Sequence, residues 1–591
     1  MERSEVEAKY RWRVEDIFPS DEAWEESYKQ TEASVSLHEW AGKLQDAASL
    51  AAFFKQQEQI ARAVERLYLY AHMRHDEDAR VSKYTAMQSR AMSLYVRLSS
   101  ETSFVEPELT ALDEATLRSF AADARLADYD YYLRQLIRNK KHVLSAAEEK
   151  ILALGGEMYS QFQNIFSMID NADLKFGELV GADGERIELT HGMYGVILHG
   201  KDRDLRRRAF EQYYSAYIGL SNTIAATYFG NVKKDVFLTR ARGYGSCLQR
   251  ALGGEDVPVC VYENLISAVH KNLPAMHRYI ALRKRILGYD EQHMYDIYAP
   301  LVEDADLKLS YEDACDLVAR GLSPLGDDYV ALLRKGFSEG WVDVCETAGK
   351  RSGAYSTGIF GLHPYVLLNY RQSTSDVFTI AHEMGHALHT YFSNAAQPYA
   401  KADYRIFVAE VASTVNEVLL LKHILSQTKD EKMQAYLLNY FLDTVRATLH
   451  RQTMFAEFES VAHGMVEEGK PLTSENLNAV YLCLNRQYYS DAIVHDEQIA
   501  SEWSRIPHFY TSFYVYKYAT GIVSAISIAD RILSEGAAAV AEYKKFLSSG
   551  GSDSPVELLK IAGIDLTDKA PFEAAMRAFE DSLGRLEKLI G

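Results

Sequence analysis

The stretch TIAHEMGHALHTYF, residues 379–392, sets two histidines four apart with a glutamate after the first. On an α-helix each residue advances about 100°, so His382 and His386 fall roughly 40° apart on one face, one turn from each other. Both imidazoles then reach a single cation. Glu383 lies beside that face, where its carboxylate can bond a water at the metal without being a ligand, which suits a general base. Two imidazoles and one carboxylate, with a fourth position open to water, form a common catalytic zinc set, so one Zn2+ per chain is the expected cofactor. The pattern works only on a helix. RQSTSDVFTIA, residues 371–381, supplies serine and threonine N-cap candidates just ahead of the apolar-periodic run and so predicts one there.

The third ligand has to come from elsewhere. A metzincin would carry glycine at 389 and histidine at 392, but the residues are His389 and Phe392, which excludes that class. The alternative is an acid on a following helix. RIFVAEVASTVNEVLLLKH, residues 405–423, offers Glu410, 24 residues beyond His386, and Glu417 seven further on, nearly on the same face. An unpaired carboxylate among Phe407, Val408, Val411 and Val415 is costly to bury, so a neighbouring cation is physically attractive. Glu410 is the expected ligand and Glu417 the expected acceptor for an imidazole N–H. His389 shares the face of His382 and His386; one turn further along, it is expected to pack rather than to bind.

Working outward, the 591-residue chain is 47% hydrophobic and 25% charged, the balance of a soluble globular protein. No apolar run approaches the roughly 20 residues of a membrane helix, and the first residues, MERSEVEAKYRWRVEDIFPS, lack the pattern of a secretory signal. No membrane partner is expected. The five cysteines are scattered and free of CxxC spacing, which argues against disulfides and thiolate metal sites and makes a reducing cytoplasm the expected compartment. A formal charge of −19 disfavours nucleic acid as a partner. The basic run KDRDLRRRAF, residues 201–210, is interleaved with Asp202 and Asp204 and is expected to be a solvated helix face.

Only 12 prolines interrupt the chain, and periodic apolar stretches predict a mainly α protein, with helices at 49–75, 145–169, 405–426 and 432–461. Strand signals are confined to LKFGELVGADGERIELTH (174–191), two short runs around a Gly-Ala-Asp-Gly turn, and HPYVLLNY (363–370). Pro364 makes the second an expected edge strand beside the motif helix, able to pair its main chain with a bound peptide. The best border lies in the turn-rich stretch 171–200. It divides an N-terminal helical region, 1–190, from a catalytic domain, 191–591.

FTIAHEMGHALH followed by FVAEVASTVNE resembles the oligoendopeptidase F branch of the thimet-oligopeptidase-like zinc metallopeptidases. The resemblance extends through YRWRVEDIFPSDEAWE, LTRARGYGSCLQRAL, PHFYTSFYVYKYATG and GGSDSPVELLKIAGID, in the same order along the chain. It implies His382, His386 and Glu410 as zinc ligands and Glu383 as the base. It also implies a large helical ellipsoid with a deep central channel, the 1–190 region forming one wall, and a small sheet next to the motif helix. The implied activity is endopeptidase cleavage of short unstructured oligopeptides. The family further places a histidine and tyrosines near 508 on the developing oxyanion; His508 and Tyr510 are the expected pair here, although Tyr514, Tyr516 and Tyr518 crowd the segment and its spacing departs from the thimet-type histidine followed by two tyrosines seven apart. Two rival readings are a dipeptidyl-carboxypeptidase-like exopeptidase on the same scaffold and a non-catalytic peptide-binding protein.

Overall fold

The computed structural model describes residues 1–302 and 307–590, and 72% of the chain is helical, as the periodicity predicts. The chain forms two compact units, each assembled from three stretches: Met1–Val143, Asp306–Ile424 and Ile528–Ile564 in the first, and Leu144–Ala305, Leu425–Ser527 and Asp565–Gly591 in the second. The first crossing falls at Val143/Leu144, and the turn-rich stretch at 171–200 lies inside the second unit.

In chain order, the elements that matter below are α1 (Ala47–Glu77), β1 (Glu178–Val180), β2 (Arg186–Glu188), α2 (Ser221–Ala241) and α3 (Asp327–Ser338). There follow β3 (Val342–Asp343), β4 (Tyr355–Thr357), β5 (Tyr365–Leu367), α4 (Thr374–Ala396), α5 (Ile406–Gln427), α6 (Arg451–Glu467) and α7 (Tyr516–Glu535).

In the first unit, α1 begins at Asp46, whose carboxylate accepts from the Ala48 and Ser49 N–H groups. Its buried Leu50, Phe53, Phe54, Val64 and Leu67 join Trp12, Trp24 and Leu37 in a core that also takes in Tyr365 and Leu367 of β5. β5 is therefore not the expected edge. The sheet order is β3-β5-β4, with β5 parallel to β3 and antiparallel to β4, and all three β5 residues are buried. The reason is local: Pro364, which has no N–H to donate, stands just before the strand and costs no ladder bond, while the Tyr-Val-Leu run suits burial on both faces. The edge next to α4 is β4, whose residues are only part-buried.

α4 carries the HExxH residues. Ser373 caps it in a reciprocal box, its hydroxyl accepting from the Asp376 N–H while the Asp376 carboxylate accepts from the Ser373 N–H. Val377, Phe378, Ile380, Met384 and Leu388 are buried along it, and Phe407, Val411, Val415, Leu419 and Leu420 along α5. At about 1.5–3 kcal/mol for each large side chain withdrawn from water, this apolar burial outweighs any single polar contact between the helices. The two helices are held by the core, and the site is built on them.

In the second unit, β1 and β2 pair antiparallel around the Gly-Ala-Asp-Gly turn, with Gly184 at φ +84. The expected helix at 145–169 is divided at Gly155 into Ala146–Leu154 and Gly156–Met168. That at 432–461 is interrupted by a wide turn, Arg446–His450, between Glu431–Val445 and α6. The basic run at 201–210 corrects the solvated-face expectation in part. Arg207 and Arg208 pair with Asp204 at the surface, but Arg206 is 1% exposed and binds the buried Asp296 at 3.0 Å, with Arg203 beside it. A buried carboxylate draws guanidinium groups inward because it would otherwise be unpaired.

Candidate metal centre

His382 and His386 project from adjacent turns of α4 with ring centroids 4.9 Å apart. Glu410 reaches them from the first turns of α5, its Oε2 lying 3.5 Å from His382 Nε2 and 3.7 Å from His386 Nε2. The ligand atoms of the three residues all lie within 4.8 Å of one another, and among the described residues they form the one such cluster of histidine, cysteine and acidic side chains. All three side chains are partly exposed.

The other ring nitrogens are already committed. Glu417, two turns beyond Glu410, receives the His382 Nδ1 at 2.5 Å, and the His386 ring bonds the backbone carbonyl of Ala409. Each imidazole is thereby turned with its Nε2 toward Glu410, the arrangement in which a histidine's second nitrogen orients the ligand. Glu383 is 8% exposed and accepts from the Ser356 N–H of β4. His389 is outside the site: it is 1% exposed and stacked flat on Tyr404 at 3.7 Å, and burial pushes its imidazole down to about 3.

Gly385, inside the motif, carries a role that no sequence pattern exposed. A Cβ there would stand 2.6 Å from the Cα of Ser413 and 2.8 Å from the carbonyl oxygen of Ala412, so α4 and α5 touch backbone to backbone at this point. Only glycine permits that approach, and the approach brings Glu410 to the histidines.

The charge pattern suits a cation. Burial pulls the His382 imidazole down, but its bond to Glu417 and the charges of Glu417, Glu383 and Glu410 outweigh this and raise it to about 9. Burial lifts the Glu383 carboxyl to about 7, with the charges of Glu410 and Glu417 adding to the rise and His382 opposing it. His386 is driven the other way, to about 3, by burial and by the positive charge of His382. Two imidazoles among three carboxylates are a donor set that a divalent ion satisfies better than one proton does.

His508 and Tyr510 lie in the second unit. His508 is part-buried, its Nε2 3.3 Å from the Tyr518 hydroxyl and its ring stacked on Tyr514 at 5.9 Å. Tyr510 faces inward: it is 5% exposed, stacked on Phe166 at 4.5 Å, and its buried hydroxyl has no hydrogen-bond partner among the described residues. The segment is anchored from behind by residues that the sequence did not single out. The Phe513 N–H, at a left-handed φ of +58, donates to Glu459 of α6 at 2.9 Å, and the Ser512 hydroxyl donates to Asp235 of α2 at 2.6 Å.

A helical protein with two histidines one turn apart, a carboxylate from the next helix closing on them and a second acid beside them is a metallopeptidase by class. The model of peptidase family M3 matches residues 196–578, and that of the oligopeptidase F N-terminal region matches 108–176. The chain is 43% identical to the oligopeptidase PepF of Bacillus subtilis, over 100% of this chain and 88% of that protein. It is 39% identical to the group B oligopeptidase PepB of Streptococcus agalactiae, over 100% and 98%. A crystal structure of oligoendopeptidase-F from Enterococcus faecium superposes with a TM-score of 0.75 at 35% identity, covering 96% of this chain and 99% of that one. The chain belongs to peptidase family M3, in its oligoendopeptidase F branch. No described helix is long and apolar enough to cross a membrane.

Proposed function

We propose that this chain is a zinc-dependent endopeptidase that cleaves internal bonds of short, unstructured oligopeptides, with Glu383 as general base. The observation that carries the reading is the convergence of His382, His386 and Glu410 with Glu383 on the next position of the same helix turn. Zinc held by the first three would supply Lewis acidity, polarising a peptide carbonyl and acidifying water to a pKa of about 7. Glu383 takes the proton from the attacking water and returns it to the leaving amine, a task its place beside the ligand face suits. His382 is kept in place by Glu417 and His386 by the Ala409 carbonyl.

Recognition of the peptide main chain falls to β4. Its residues are part-buried and it is an edge strand, so an extended peptide can add to it through backbone bonds that do not depend on side-chain identity. The role proposed for His508, donating a hydrogen bond to the developing oxyanion, rests on the family resemblance; each such donor is worth about 3–4 kcal/mol. Tyr510, expected to share that role, is buried against Phe166.

The test is metal analysis of the purified protein, with mass-spectrometric mapping of cuts in a mixed peptide pool before and after chelation. One zinc per chain and internal cuts in end-blocked peptides are expected, abolished by chelator and restored by zinc. Cutting confined to peptides with a free terminus would replace this reading with the exopeptidase. Full zinc occupancy without hydrolysis would replace it with a peptide-binding protein.

A further inference from the structure

Asn416 sits where the two ligand-bearing helices meet. It is fully buried, and its Nδ2 donates to the carbonyl of Ala381 at 3.0 Å. Its Oδ1 accepts from the hydroxyl of Tyr329, also fully buried, at 3.0 Å. The orientation of the amide is dictated from one side: a carbonyl oxygen can only accept, so the NH2 must face Ala381, which leaves the oxygen for the phenol. Tyr329 belongs to α3, and its ring stacks on Phe392 further along α4 at 6.0 Å.

The placement in the chain gives this contact its meaning. Ala381 precedes His382 and Asn416 precedes Glu417, so the Asn416–Ala381 bond and the Glu417–His382 bond are successive cross-links joining the same turns of α4 and α5. One turn along α4, Gly385 abuts Ser413, three residues before Asn416. Apolar contacts along the rest of the interface are non-directional and tolerate small rotations of one helix on the other. A hydrogen bond to a buried carbonyl does not. The tolerance of a metal site is tight, with ligand distances held to within about 0.2 Å.

We propose that Asn416, locked by Tyr329, is a positioning residue for the metal ligands. It sets the rotation of α5 against α4 that brings Glu410 to both Nε2 atoms and Glu417 to His382, and it thereby sets metal affinity rather than merely adding to fold stability. The proposal rests on the zinc site described above.

The two roles separate in the double variant N416L/Y329F. It removes both members of the bond together and leaves the Ala381 carbonyl its ordinary helical partner, so no buried polar group is stranded and stability should change little. Zinc affinity, read by competition with a chromophoric chelator, should fall roughly tenfold or more. The rise in thermal midpoint on adding zinc should shrink while the midpoint of the zinc-free protein stays close to that of the parent. Unchanged zinc affinity in the folded double variant overturns the proposal. If that variant does not fold, Y329F alone, which frees the amide on one side, should weaken zinc several-fold, and parental affinity there overturns the proposal equally. A parent protein that fails to bind zinc stoichiometrically would remove the zinc reading itself; a parent that binds zinc, with variants that match it, would remove only this inference.

Discussion

Glu383 and Glu417 are both acids beside His382, yet their surroundings differ. Glu383 is nearly buried and its carboxyl is lifted to about 7, whereas Glu417 holds an imidazole N–H at 2.5 Å. E383Q keeps an oxygen for the Ser356 N–H but cannot take a proton. It should bind zinc like the parent and lose roughly 10²- to 10⁴-fold in kcat, measured on one fluorogenic peptide beside metal analysis. Parental kcat in that variant would end the base assignment. E417Q should instead cost roughly 10- to 100-fold in zinc affinity, read by chelator competition, because the carboxylate that orients His382 is gone. The HExxH spacing is visible in the sequence because it is written within a single helix turn. The partners of the other ring nitrogens are not, since Glu417 is 35 positions from His382 and nothing local ties the two.

Among elements, the meeting of α4 and α5 is decided by an absence. G385A would place a methyl carbon 2.6 Å from the Ser413 Cα, and since the obstacle is backbone, the helices must part. The expected outcome is a loss of about 1–3 kcal/mol in urea unfolding together with weaker zinc binding. If G385A binds zinc and unfolds like the parent, the close approach does not matter. In sequence terms this glycine is only a mild helix destabiliser, because what it makes room for belongs to another element. The strand HPYVLLNY teaches the same lesson. Its proline reads as an edge mark, but the parallel partner Val342–Asp343 lies more than twenty residues upstream, and that pairing makes β5 central and leaves the edge to β4.

For the molecule as a whole, the large apolar side chains buried along α4 and α5 do not depend on the three clustered ligands, so removing metal should abolish peptidase activity without unfolding the protein. Chelation is expected to lower the thermal midpoint by a few degrees, fully recovered on adding zinc; collapse of the far-ultraviolet dichroism would instead make the metal structural. Acid acts elsewhere. In the second unit Glu502 is buried, which alone would raise its carboxyl, but Arg451 and Arg505 hold it down at about 2 against an ordinary value of 4.5. Between those values the unfolded chain binds more protons than the folded one, so this contribution is present above 4.5 and is lost as pH falls toward 2. Urea midpoints should therefore decline through that window, and E502Q should flatten the decline as well as lower the neutral-pH midpoint.

What the amino-acid sequence determined alone is whatever repeats within a few residues or is shared with relatives: the helical class, the cap at Ser373, the grouping of His382, His386 and Glu410 with Glu383 beside it, and the hairpin at 178–188. Tertiary structure alone decided which strand is the edge, that Tyr510 faces the core, that Arg206 turns inward, and that Gly385, Asn416 and Tyr329 bring two helices together at one distance and one rotation. The difference is physical. Periodicity and capping are energies between neighbours in the chain, whereas close approach and buried hydrogen bonding depend on which distant segments the core has already brought into contact.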